Sequence, residues 1–216
     1  MKAVATFISS LFHPLFVPIY GLLFLMYVPS APKSFLVADS LYYSSESVKY
    51  VILFLFGIFG VLAPGVSLLL FKYNQTITSL QLEIQEERRM PIFMMSVYMA
   101  ILFFFLAFQV PKTAIPQIIP GIALGASCGI FITGLVNQYA KISLHMLGMG
   151  MLTGAVYGYF KEQLIFSNWV LPVIFIVSGF VATSRLILDA HSFSQLIAGY
   201  ALGFISLLIS ISLFLH

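Results

Sequence analysis

Thr183-Ser184-Arg185-Leu186-Ile187-Leu188-Asp189-Ala190-His191-Ser192-Phe193-Ser194-Gln195 is the stretch that decides how this chain folds. It sets an arginine and a histidine six positions apart between two long apolar runs. On one continuous helix, six residues carry a side chain about two thirds of a turn away. Convergence of Arg185 and His191 therefore requires a break, and Asp189, Ser192 and Phe193 fit one. The break separates two membrane-spanning helices, one over residues 168–188 and one over 195–215. Ionisable groups at membrane depth are costly, so a cluster of them points to function by default.

Composition supports the bilayer as solvent. The chain has 216 residues, of which 61% are hydrophobic and 8% charged, with a mean hydropathy of +1.05. Soluble domains carry about 25% charged residues. The net charge is +3 and the basic residues are dispersed, so no nucleic-acid patch is indicated. Cys128 is the single cysteine, which leaves out a disulfide framework or a cysteine-rich metal site. The length suits one integral-membrane domain, residues 1–216.

A bilayer crossing takes about 20 apolar residues. Besides the two runs above, five more approach that length: 5–28, 48–71, 91–110, 115–136 and 143–160. The expected fold is an all-α polytopic bundle of about seven spans. The first run reads as a retained helix that Pro14 and Pro18 bend, in a cell (inner) membrane protein. Glycines at 121, 125 and 129, at 150, 154 and 158, and at 199 and 203 recur every four residues. Each set lies on one helix face, where backbones can approach closely. Ile77, Leu80 and Ile84 suggest a short helix in the membrane interface. Seven spans would bring residues 72–90, 137–142 and 184–194 to one side of the membrane. That side holds six of the Lys and Arg residues against four on the other, leaning it towards the cytoplasm.

Three polar stretches then share one face. In the first, Gln195 lies four residues after His191, so its amide oxygen can accept the ring N–H and fix the tautomer. In the second, Lys141, Ser143 and His145 crowd the mouth of a span. His145 can protonate a leaving group, while Ser143 and the free N–H groups of the helix start can hold an anion. In the third, Arg88 and Arg89 offer paired donors that match phosphate oxygens. Together they form a cationic, hydrogen-bonding pocket suited to phosphate, with no carboxylate cluster for Mg²⁺ or Ca²⁺. Chemistry there would be metal-free and need no cofactor, resting on positioning and charge stabilisation.

These residues resemble a known family. Ser184-Arg185, five residues, then His191 is similar to the third signature of the type 2 phosphatidic acid phosphatase superfamily, Ser-Arg-x5-His-x3-Asp. Ser143-Leu144-His145 resembles its second, Pro-Ser-Gly-His, and Arg88-Arg89-Met90-Pro91 the end of its first, Lys-x6-Arg-Pro. The opening Phe12-His13-Pro14-Leu15-Phe16 looks like a membrane-embedded bacterial branch. The likeness covers residues 75–205 and implies a phosphatase-like helical core. It implies that His191 attacks phosphorus to form a phosphohistidine and that His145 protonates the leaving oxygen. Arg185, Arg89, Ser143 and Ser184 would hold the phosphate, joined by Arg88. Substrates would be phosphatidate, phosphatidylglycerophosphate or polyprenyl diphosphate.

The sequence departs from the pattern in specific places. Gln195 stands where the family has Asp; it can accept from the ring but cannot stabilise an imidazolium by charge, so a reduced rate is expected. Gln81 and Leu82 stand where the first-motif Lys would, and Lys141 is the cation that could replace it. Two other readings fit the same residues. One is a non-catalytic member that binds phospholipid. The other is a transporter or assembly subunit, as a homo-oligomer or in a membrane complex.

Overall fold

The computed structural model describes residues 1–33, 40–80, 82 and 84–215; Gln81, at the position of the missing lysine, lies outside them. The architecture is all-helical, with one two-stranded antiparallel pair. Helices α1 (Lys2–Leu11) and α2 (Val17–Tyr27) come first, followed by strand β1 (Ser30–Pro32). Then come α3 (Glu46–Phe56), α4 (Ala63–Tyr73), α5 (Arg89–Phe108), α6 (Ile118–Val136) and α7 (Leu144–Lys161). Strand β2 (Gln163–Phe166), α8 (Val170–Ile187) and α9 (Phe193–Leu215) complete the chain.

Five helical stretches are long and apolar enough to cross a membrane: Glu46–Tyr73, Glu86–Phe108, Ile118–Val136, Val170–Ile187 and Phe193–Phe214. The first of these joins α3 to α4 through a π-helical turn at Gly57–Leu62. Pro64 has no N–H to give to the carbonyl four residues back, and the ladder widens there. Helix α7 has the length but is rich in glycine and carries His145 and Lys161 near its ends.

The first apolar run is broken rather than bent. Helix α1 ends at Leu11, and α2 begins at Val17 with Pro18 in its first turn. Pro14 disfavours helical backbone at His13 and cannot bond to Ser10, so it stops α1. Pro18 sits where a missing N–H costs nothing, so it starts α2. Irregular backbone inside a bundle survives where protein or a cavity surrounds it.

Helix α7 is the axis of the bundle. Thirteen of its 18 residues are buried, and its most extensive partner is α9. The glycine spacings account for this crossing. A Cβ on Gly150 would strike the Tyr200 carbonyl, and one on Gly203 the Leu147 carbonyl. At Gly154 it would lie 2.5 Å from the Phe204 oxygen, and at Gly199 2.6 Å from the Ser143 oxygen. The fourth-span ladder packs α6 on α9 in the same way: a Cβ on Gly125 would sit 2.9 Å from Ser210 Cβ. The Ser210 hydroxyl donates to the Gly121 carbonyl at 2.7 Å.

This crossing places the polar ends. The Ser143 N–H donates to the Gln195 carbonyl at 3.4 Å, so the starts of α7 and α9 meet. Leu188 to Ser192 form the break between α8 and α9, with Asp189 at φ 52°. That left-handed residue is tolerated by Asp better than by most. The interfacial helix expected over 77–84 does not form: the described residues from 74 to 85 make turns and bends. Thr78 donates from its backbone and its hydroxyl to Glu87, at 2.8 and 3.0 Å. Gln85 and Asn137 exchange side chain–backbone bonds of 2.6 and 3.0 Å. These bonds to distant residues take the place of a helical ladder, and Ile77 and Leu82 bury themselves against Leu68 instead.

Candidate functional site

A cavity of about 260 Å³ runs into the bundle from these polar ends. His13, Arg88, His145, Arg185 and His191 line one part of it. The remainder is mostly apolar, with Leu22, Phe56, Met99, Ile122 and Leu152 from five different helices among its walls. Four segments that are far apart in sequence thus share one cavity.

His191 is held in one tautomer. Its Nδ1 lies 3.0 Å from Gln195 Oε1, and the same oxygen accepts the Ser192 backbone N–H at 3.3 Å. A backbone N–H needs an acceptor, so the amide is oriented with its oxygen at the ring. Nδ1 then carries the proton, and Nε2 keeps its lone pair. His191 is only 8% exposed. Burial above all holds its pKa down, to about 4; the bond to Gln195 works the other way, and the charges of Arg88, Arg185 and Lys141 lower it further.

His145 occupies the first turn of α7. Its Nε2 lies 3.1 Å from the Ser9 carbonyl. A carbonyl only accepts, so Nε2 carries a proton and Nδ1 is the nitrogen left for exchange. His13 packs edge-on against this ring, with centroids 5.7 Å apart.

The arginines divide by burial. Arg88 is 3% exposed; its Nε donates to the Leu82 carbonyl at 2.6 Å and its Nη1 to the Ile142 carbonyl at 3.1 Å. Both partners are neutral, and among the described residues Arg88 makes no ion pair. A buried cation with neutral partners is costly unless an anion joins it. Arg185 is 7% exposed and its Nη1 donates to Ser9 Oγ at 3.5 Å. Arg89 is exposed, and its guanidinium meets Gln138 at 3.3 Å instead of the cavity.

The remaining sequence-derived residues stand behind the cavity wall. Ser143 is fully buried and caps α7, its Oγ accepting from the Met146 N–H at 3.4 Å. Ser184 turns its hydroxyl back to the Phe180 carbonyl at 2.7 Å. Lys141 is half-buried beside His191, close enough for its charge to be felt there. Sequence reasoning missed Ser9 and His13. The signal for His13 was an imidazole followed by proline in an apolar run, the same oddity that drew attention to His191.

No family model, no curated protein and no solved structure matches this chain.

Proposed function

We propose that this chain is a multi-pass membrane protein of about seven spans, in a cell (inner) membrane, that hydrolyses a lipid phosphate through a phosphohistidine at His191. The observation that carries the reading is the shared cavity of His145, His191, Arg88 and Arg185 with a long apolar extension. A phosphate fits the cationic part and a lipid chain fits the rest.

The chemistry follows from the tautomers. The Nε2 lone pair of His191 attacks phosphorus, and the bond from phosphorus to the lipid oxygen breaks. His145, protonated, gives its Nδ1 proton to that oxygen, and the lipid alcohol leaves. Water then gives a proton back to Nδ1 as it attacks phosphorus. The P–N bond breaks and inorganic phosphate departs. Arg88 and Arg185 hold the charge that accumulates on the phosphoryl oxygens, the main task in phosphoryl transfer. Apolar side chains on five helices keep the lipid chain out of water.

The neutral Gln195 favours one other reading: a protein that binds a lipid phosphate without turnover. Phosphate release from a short-chain phosphatidate and a polyprenyl diphosphate, in detergent, separates the two. Wild-type protein releases phosphate and His191→Ala does not. Equal release by both overturns the phosphohistidine; binding with no release leaves the second reading.

A further inference from the structure

We infer that the break between α1 and α2 is a fourth wall of the phosphate site, in which His13 donates a hydrogen bond to the phosphate and Ser9 positions its neighbours. The inference rests on the reading that a phosphate monoester, on a lipid or free, enters the cavity.

The geometry of His13 is specific. The Leu15 backbone N–H donates to His13 Nδ1 at 3.4 Å. Nδ1 must therefore carry a lone pair, and in the neutral ring the proton is on Nε2. The turn after Pro14 thus fixes a single tautomer, with the N–H on the ring nitrogen farther from its own backbone. His13 lines the cavity beside His145 and Arg185. Three histidines meet there with assigned protons: His191 Nε2 is a lone pair, His145 Nε2 is committed to Ser9, and His13 Nε2–H is a donor. A donor with no charge is what a phosphate already facing two guanidinium groups can accept without further desolvation of ions.

Ser9 joins two of the players. Its carbonyl takes the Nε2–H of His145 and its hydroxyl takes the guanidinium of Arg185. It is 6% exposed and sits in the last turn of α1. Ser9 is a positioning residue: it sets the proton on His145 and the place of Arg185 without itself transferring anything.

Side-chain reach gives the test. A glutamine amide reaches where Nε2 stands, whereas an asparagine amide reaches only Nδ1 and can still accept from Leu15. Orthophosphate and dioctanoyl phosphatidate are titrated separately into wild type, His13→Gln and His13→Asn, each in a His191→Ala background that prevents turnover. Gln holds affinity within about twofold; Asn weakens both ligands by at least about tenfold, the worth of one hydrogen bond to a charged group. Equal affinity in Gln and Asn overturns the role of His13, as does a wild-type cavity that binds neither ligand. Weakening of the lipid alone identifies the lipid headgroup as the source; weakening of both fits either source. If the amide variants fail to fold, His13→Phe keeps the ring contact with His145 and loses only the nitrogens; unchanged affinity there overturns the inference. Phosphate binding that depends on His13 without release from any lipid retains this wall and removes the enzyme. Release with affinity indifferent to His13 retains the enzyme and removes the wall.

Discussion

Gln195 Oε1 accepts from His191 Nδ1 at 3.0 Å, one helical turn along the start of α9. The pair leaves the His191 Nε2 lone pair available while providing no negative charge behind it. Gln195→Glu adds that charge with the same reach. A charge-assisted bond is stronger by about 1.5 kcal/mol, and ~1.4 kcal/mol is tenfold in rate. Turnover rises roughly tenfold in Gln195→Glu and falls in Gln195→Leu, measured as kcat on a short-chain phosphatidate.

The pH dependence follows from burial of His191. Its folded pKa, about 4, lies below the ordinary 6.5. Above 6.5 the ring is neutral in folded and unfolded chains alike, and this group adds no pH dependence. Between 6.5 and about 4 the unfolded chain takes up the proton first, so stability falls as pH falls. The melting temperature in detergent drops from pH 7 to pH 4.5, and less so in His191→Gln. In kcat/KM the acidic limb for loss of the nucleophile lies near 4 rather than 6.5, and Gln195→Glu moves it upward.

Arg88 and Arg89 exchange the importance that the motif suggests. Arg88→Leu removes a buried cation at the cavity and weakens phosphate affinity by about 10- to 100-fold. Arg89→Leu removes an exposed guanidinium and changes it by less than about twofold. Titration of orthophosphate into each variant distinguishes them.

The glycine crossing is testable by stability alone. Gly203→Ala drives a Cβ into the Leu147 carbonyl and costs about 1–3 kcal/mol. Gly179→Ala in α8 meets nothing within 4 Å and is neutral or stabilising by up to ~1 kcal/mol. Melting temperatures in one detergent compare the two.

The helical, apolar architecture was legible from residues alone, as was the break that lets Arg185 and His191 line one cavity. The six-residue interval between Arg185 and His191 demanded a break, and Asp189 supplies it. Glycines four apart marked the α7–α9 crossing because only a missing Cβ permits that approach. The break at His13 was hidden because an apolar run of 24 residues, Ala5 to Val28, satisfies the length of a span whether or not it is continuous. Pro14 and Pro18 act oppositely, one stopping a helix and one starting the next, and sequence alone does not rank those roles. Arg88 and Arg89 are adjacent, about 100° apart around a helix, so which one faces the cavity depends on how α5 is rotated. Hydrogen bonds of Thr78, Gln85 and Asn137 over long separations overrode the helical spacing of Ile77, Leu80 and Ile84.

The proposed mechanism stands on a bond from phosphorus to His191. The direct test is to mix purified protein in detergent with ³²P-labelled dioctanoyl phosphatidate, quench in alkali after milliseconds to seconds, and look for label on the chain. Wild type acquires acid-labile, alkali-stable label and His191→Ala acquires none. Release of labelled phosphate by His191→Ala, or turnover by wild type with no label on the chain at any time, would contradict it.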